Sequence, residues 1–424
     1  MRSKQEIDSI LVSLLIGALP ILMLSIGHTS FIFYALVIVS ASICISRLGG
    51  FAATLQDWQR YRWLAAGIFS MLAVILIAMV IDQRLLGSAL ERALRIGMGV
   101  FVVLGACLSL KPSWLRQTSW GIGISALVSG LISWWLAGPN LNRPVTPEYN
   151  AVSYGNLALL VSTMTALSLG WSLTKHHKTE FFLKIFMALV GFYGFVLTQT
   201  RTGWLAIPFF LLIGALLFKN RWNIKKIIVG FILVLTATVL LFLSNPVLKN
   251  RAQLAAKEFI ECTKSPLTIS SICIRLQLWH ASWEMFKKDP WLGNGGGDKF
   301  DDELKILVEK KVVSKVVVDE GFAEPHNDMI YMAASYGTLG LIAFLLVYVS
   351  PGLIFMRRLI HPGSKEIQIA AAMGVSVCVG FWIFGLTELM FRGMRTMGFY
   401  AVTIAWLLAL SDHTFIERES KKLI

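Results

Sequence analysis

Apolar runs of roughly twenty residues recur along most of the chain, separated by short polar breaks. A helix of that length crosses a bilayer core of about 30 Å. Twelve runs stand out: residues 9–27, 30–46, 63–81, 93–110, 119–137, 152–173, 181–198, 203–218, 226–244, 329–349, 367–387 and 397–411. Strands of a membrane barrel alternate apolar and polar side chains, and these runs do not. The pattern predicts an all-α polytopic integral membrane protein with about 12 transmembrane helices. The run from 329 continues through Pro351 to Met356, which leaves its far end open. The first run is full length and a second follows at once, without an Ala-x-Ala-like site, so no removable signal peptide is expected.

Composition agrees. Of 424 residues, 56% are hydrophobic and 15% charged, against about 25% charged in a soluble domain. A net charge of +14 raises the question of nucleic acid. The positions of the charges answer it. Arg47, Arg60 and Arg62, then Lys111 and Arg116, Lys175 and Lys178, Lys219 to Lys226, and Arg357, Arg358 and Lys365 fill alternate short loops. Lys/Arg excess marks the cytoplasmic side of a membrane protein. These loops share one side of a twelve-span arrangement with both termini, so cytoplasmic termini are expected, and no nucleic-acid partner.

The opposite loops hold Arg84, Arg92, Arg143, Arg201, Arg392 and Arg395 and no lysine. Two readings are open. Single arginines reach lipid headgroups along their stems. Alternatively the set binds anions, because the guanidinium fork matches phosphate and keeps its charge when partly buried. Arg201 stands out, in LTQTRTGWLAI, where Thr198 to Thr202 form a polar island between two spans. An arginine so near hydrocarbon usually faces a cavity or a partner.

Residues 245–328 form the longest polar stretch and divide the chain into 1–244, 245–328 and 329–424. The stretch carries 12 Lys/Arg and 13 Asp/Glu, nearly neutral, and is too long for a passive connection. It reads as a small, mostly helical loop domain outside the membrane. Leu278, Trp279, Trp283 and Phe286 follow helical spacing over 274–288, and Asp289-Pro290 stops the helix. Arg275 shares a face with Trp279 four residues on. WLGNGGGDKF follows, whose glycines permit positive φ and close backbone approach, or simple flexibility. Cys262 and Cys273 lie in this stretch, where a disulfide is permitted if it faces an oxidising compartment. Cys44, Cys107 and Cys378 fall in spans and read as packing residues. No Cys/His zinc spacing and no Walker or dinucleotide glycine motif occurs. No metal or nucleotide cofactor is therefore expected.

AEPHNDMIYMAASYGTLG, from Ala323, opens the next span. Pro325 favours an extended approach, and Asn327 or Asp328 caps the helix. Read alone, His326 is either a cap neighbour or a proton carrier at the membrane lip. Tyr336, Gly337 and Gly340 read as packing positions.

TQTRTGWLAI, RLQLWHASWEMFKKDPWLGNGGGDKF and EPHNDMIYMAASYGTLGLIAF occur in that order. The succession resembles the O-antigen ligase and polymerase superfamily, which includes the O-oligosaccharyltransferases that glycosylate proteins. RPVTPEYNAVSYGNLALL, from Arg143, is similar to the family's preceding outer loop. The chain departs from the pattern in LGNGGG, in place of a plain Gly-x-Gly, and in Glu148-Tyr149-Asn150, where Asn-Pro is frequent.

The resemblance implies a GT-C-like glycosyltransferase with a periplasmic loop domain and a site facing the periplasm. It implies transfer of O-antigen from undecaprenyl pyrophosphate without metal or ATP. Arg201 and Arg275 would hold the pyrophosphate. His326 would act as base on the acceptor hydroxyl, orient the acceptor, or bind phosphate as an imidazolium. Arg143, Arg392, Arg395 and Asn327 would be further anion or glycan ligands. Glu388 would pair with an arginine or assist proton transfer. Chain length and the modest loop domain look most like the ligases, whose acceptor is the lipid A-core of lipopolysaccharide. Polymerases and protein-directed transferases share the chemistry. A transporter or flippase for a lipid-linked glycan would show internal repeats and charge at mid-membrane, and the sequence shows no convincing repeat.

Overall fold

In the computed structural model, the described residues are 3–26, 29–47, 59–146, 150–218, 229, 246–265, 267–296, 298–319, 321–322, 324–361, 363–391, 393–413 and 416. Their regular secondary structure is helical, without strands. The helices are α1 Lys4–Ser25, α2 Ser30–Arg47, α3 Arg62–Asp82, α4 Gly87–Cys107, α5 Pro112–Gln117, α6 Ser119–Ala137, α7 Ala151–Leu167, α8 His177–Leu197 and α9 Thr202–Phe218. After them come α10 Pro246–Lys264, α11 Ser271–Lys288, α12 Asp298–Glu309, α13 Lys315–Asp319, α14 Asp328–Ile360, α15 Lys365–Phe384 and α16 Met394–Leu410.

Seven described helical stretches are long and apolar enough to cross a membrane, and three further apolar helices are shorter. The chain is thus a multi-pass membrane protein, and the twelve-span expectation stands only in part. Gly87–Cys107 is helical but carries Glu91, Arg92 and Arg95. The expected span at 226–244 lies outside the described residues apart from Val229. Pro351 does not end α14, which runs 33 residues to Ile360. α15 is the most enclosed span, 83% of its apolar window being buried, against α7, α9, α14 and α16.

Polar contacts sort to two ends of this bundle. At one end Asp412 accepts from Tyr61 and lies 2.9 Å from Arg60 and 3.2 Å from Arg358, joining the starts and ends of α3, α14 and α16. Arg116 pairs with Glu366 at that end. Arg60, Arg116 and Arg358, from three of the basic loops grouped by sequence, are thus ion-paired at this end. Tyr61 is buried there, and desolvation pushes its phenol above the ordinary range.

At the other end sits the long connector, α10 to α13, with its own apolar cluster of Leu278, Ala281, Met285, Phe300, Leu304 and Val317. Cys262 and Cys273 form a disulfide, Cα atoms 5.4 Å apart, tying α10 to α11. The buried stripe of α11 runs through Ile274, Leu278, Ala281 and Met285, whereas Trp283 is exposed. The aromatic spacing foretold the helix but not its inner face. The smaller side chains allow closer packing, and the Trp279 indole instead donates to the Pro325 carbonyl at 2.9 Å.

The connector is stitched into α14. At Tyr336 and Gly337 that helix leaves helical geometry, Gly337 at φ 61°. Thr338 and Leu339 lose their usual acceptors four residues back and donate to Pro290 and Trp291 carbonyls. The freed carbonyls of Ala334 and Ser335 accept from Asn294 and Gly295 at 3.0 and 2.8 Å. A broken spanning helix is tolerated only where such groups find partners. A Cβ on Gly337 would lie 2.2 Å from the Trp291 carbonyl carbon. Gly337→Ala therefore forces the two backbones apart and adds strain at positive φ, costing roughly 2–5 kcal/mol. A drop of the thermal midpoint in detergent checks this; an unchanged midpoint would mean the seam is dispensable.

Candidate active site

Where the connector meets the bundle, an open cleft of about 620 Å³ is lined by Arg143, Asn150, Arg275, His326 and Glu388, with Pro144, Val145 and Thr146 beside them. Each side chain arrives from a different element. Asn150 caps α7, accepting from the Ser153 amide. Arg275 lies in the first turns of α11. His326 precedes α14, and Glu388 lies in the turn between α15 and α16.

Glu388 is the hub. Its carboxylate accepts from Asn150 Nδ2 at 2.9 Å and from Arg275 Nη2 at 3.4 Å, and lies 3.7 Å from His326 Nδ1. The carboxylate is 6% exposed. A carboxylate that buried requires partners, and it has three. Around this one acid the lining gathers Arg143, Arg275 and His326.

His326 is held with unusual firmness. Its backbone is left-handed, φ 49°, a region costly for residues with a side chain. The neighbours enforce it. The Pro325 carbonyl takes the Trp279 indole proton. Asn327 caps α14 through the amides of Met329 and Ile330 and donates from Nδ2 to the Leu386 carbonyl. Asp328, fully buried, accepts from the Met390 amide at 2.9 Å, while its own amide donates to Gly385. Segments 324–328 and 385–391 thus form one welded wall, with His326 and Glu388 on its cleft side. His326 Nδ1 makes no hydrogen bond among the described residues, lying 3.9 Å from Glu324 and 3.7 Å from Glu388.

The polar island packs behind lining residues of the cleft. Thr198 and Thr200 hydroxyls bond to each other, and Thr200 donates to the Ala151 carbonyl at 3.0 Å. Thr202 and Thr387 hydroxyls bond, joining the island to the residue before Glu388. Gly155 permits this closeness, since a Cβ there would sit 2.1 Å from the Thr198 hydroxyl. Arg143 Nε donates to the Thr198 carbonyl at 3.1 Å.

Of the residues singled out from sequence, Arg143, Arg275, His326 and Glu388 line one cleft. Arg201 is exposed on the island beside it, between Thr200 and Thr202, and outside the lining. Asn327 lies under the wall with its side chain committed to backbone. Arg395 lies in the first turn of α16, also outside the lining, and Arg392 lies outside the described residues. Sequence reasoning missed Asn150 as a cleft residue. Its signal was an Asn ahead of an apolar run, which reads as a cap and hides the second bond to Glu388, 238 residues away.

Comparison with known proteins adds two findings. Residues 186–345 match the family model described as O-antigen ligase. That stretch contains Arg201, Arg275 and His326, but not Arg143, Asn150 or Glu388. A protein of Haemophilus influenzae described as uncharacterized is 23% identical over 281 residues, 65% of this chain and 68% of that protein.

Proposed function

We propose, from the chain's place in the O-antigen ligase/polymerase superfamily, that it transfers a glycan from a lipid pyrophosphate to a hydroxyl acceptor at this cleft. The acceptor is proposed to be the lipid A-core of lipopolysaccharide, the donor undecaprenyl-pyrophosphate-linked O-antigen. The site then faces the periplasm from the inner membrane, with both termini cytoplasmic and the connector as a periplasmic domain. The observation that carries the reading is the convergence of Arg275, Arg143 and His326 around the buried Glu388.

The chemistry follows from the groups. The acceptor oxygen attacks the anomeric carbon, and the bond from that carbon to the pyrophosphate oxygen breaks. The bonding pair leaves with the pyrophosphate, whose growing charge is stabilised by fixed cations. Arg275 and Arg201 take this role, each able to make two charge-assisted bonds to phosphate oxygens. The hydroxyl proton passes to His326, histidine being the side chain suited to proton transfer near neutral pH. Glu388 stabilises the imidazolium so formed and keeps Arg275 aimed at the cleft. Cleavage of the sugar–pyrophosphate bond drives the reaction, so neither ATP nor a divalent ion is required. The meeting of a histidine with Arg143, Arg275 and Glu388 in one cleft supports this over a lipid-linked glycan transporter.

Purified protein mixed with lipid-linked glycan and lipid A-core, in EDTA and without ATP, is expected to give glycosylated lipid A-core on a gel. Growth of the donor glycan without transfer to the core would reassign the protein as a polymerase. Transfer to a protein acceptor alone would reassign it as an O-oligosaccharyltransferase.

A further inference from the structure

α11 carries two apolar stripes, and the connector's core covers one of them. Ile274, Leu278, Ala281 and Met285 face that core. Ile272, Leu276, Trp279, Trp283 and Phe286 recur at helical spacing and line a second face. None of these five is buried; Trp283 is 56% exposed, and its ring stacks on Phe286. His280 and Lys287, both exposed, make the polar face beyond the stripe. A helix that is apolar on two faces needs two partners.

The depth of the second face follows from α14. Between its break at Tyr336 and Gly337 and the basic pair Arg357 and Arg358, residues 338–356 rise roughly 28 Å, the thickness of a bilayer core. The break therefore lies at the edge of the hydrocarbon. Leu339, Ile342, Leu346, Val349 and Leu353 are exposed at helical spacing from there on, a flank turned to lipid. Trp291 is fastened to the top of that flank. Its carbonyl accepts from the Leu339 amide, and its side chain is 67% exposed. Exposed tryptophans gather at this depth of a membrane. Asp289 accepts from the Trp291 amide at 3.2 Å, so Trp291 follows the end of α11 by one tight turn. The lipid-facing surface of α14 thus continues through Trp291 to the end of α11.

We propose that the second stripe of α11 is seated in the bilayer, where headgroups meet acyl chains on the connector's side. The partner is the phospholipid leaflet itself, met by Leu276, Trp283, Phe286 and Trp291. Indoles suit that boundary, since the ring is apolar and its N–H is polar. Lys287 is engaged with Glu284 and Lys288 with Glu303. Burial of apolar area, rather than an anionic headgroup, therefore holds the seat. The seat ties the helix that bears Arg275 to the membrane surface. It requires only a bilayer and is independent of the transfer reaction.

The test places the photoactivatable amino acid benzoylphenylalanine at single positions of the full chain, in nanodiscs of dioleoyl phosphatidylcholine. Irradiation followed by mass spectrometry reads what each position touches. The probe in place of Ile342, on the flank of α14, is the reference for lipid contact. In place of Trp283 or Trp291 it is expected to give phospholipid adducts at a yield like that at Ile342. In place of His280, on the polar face, it is expected to give none. Should the protein carrying the probe at Trp283 fail to fold, Leu276 is the second site on the stripe. Lipid adducts at Ile342 but not on the stripe would overturn the proposal, whether or not Trp291 is labelled. Equal yields at His280 and Trp283 would overturn it too, because the helix would then have no preferred face. So would crosslinks from the stripe to a second copy of the chain, or to another segment of the same chain, since protein would then cover it.

Discussion

His326→Ala is expected to lower glycan transfer by roughly 10²–10⁴-fold, the usual contribution of a positioned proton acceptor, with the thermal midpoint little changed. The two halves of that expectation come from different atoms. The imidazole packs edge-on to Phe322 and is 20% exposed, so truncation leaves no sealed cavity. The backbone around it is fixed by the Asn327 cap, the Asp328 clamp and the bond from Trp279 to the Pro325 carbonyl, none of which uses the imidazole. His326→Gly, which relieves the left-handed backbone, is a useful second variant. It should be as stable as the parent or more so and equally inactive. Measured as initial rates with saturating donor, the loss should fall on kcat. Full activity in both variants would remove His326 from the proton path.

Arg275→Ala is expected to lower kcat by roughly 10²–10³-fold, as for loss of one fixed donor to a developing anion. Here a structural cost accompanies the catalytic one. Glu388 is almost wholly buried and would retain, among the described residues, only Asn150 as hydrogen-bond donor, so some stability is lost as well. Arg275→Lys separates the two. It restores a cation beside Glu388 and should recover most of the thermal midpoint. It should leave transfer at least about tenfold down, because an ammonium lacks the planar fork. Recovery of activity together with stability would show that Arg275 only neutralises Glu388.

Much of the fold was legible in the sequence because its signals are local. Asp289-Pro290 ended α11, and of the two cap candidates ahead of α14, Asn327 takes the role. The break in α14 was not legible. Tyr336 and Gly337 read as packing positions because the groups that replace the lost helix bonds come from residues 290–295, some forty positions away. The site divides likewise. Arg275, Arg143 and His326 could be nominated singly from residue chemistry and resemblance. Glu388 was nominated with two open roles, and the structure gives it contacts to arginine and histidine at once. Its bond to Asn150 depends on the approach of α7 to the turn after α15, which no local spacing encodes.

The seam between the connector and α14 bears on traffic. Lifting the connector as a hinged flap would strip partners from the carbonyls of Ala334 and Ser335 inside a spanning helix, at a cost of several kcal/mol each. A catalytic cycle that repeated this motion would be slow. The connector therefore behaves as a fixed awning over the cleft, and in the proposed reaction lipid-borne reactants would come and go beneath it, sideways, through the plane of the bilayer. Turnover would then track lateral diffusion and the packing of the surrounding lipid rather than the opening of a door.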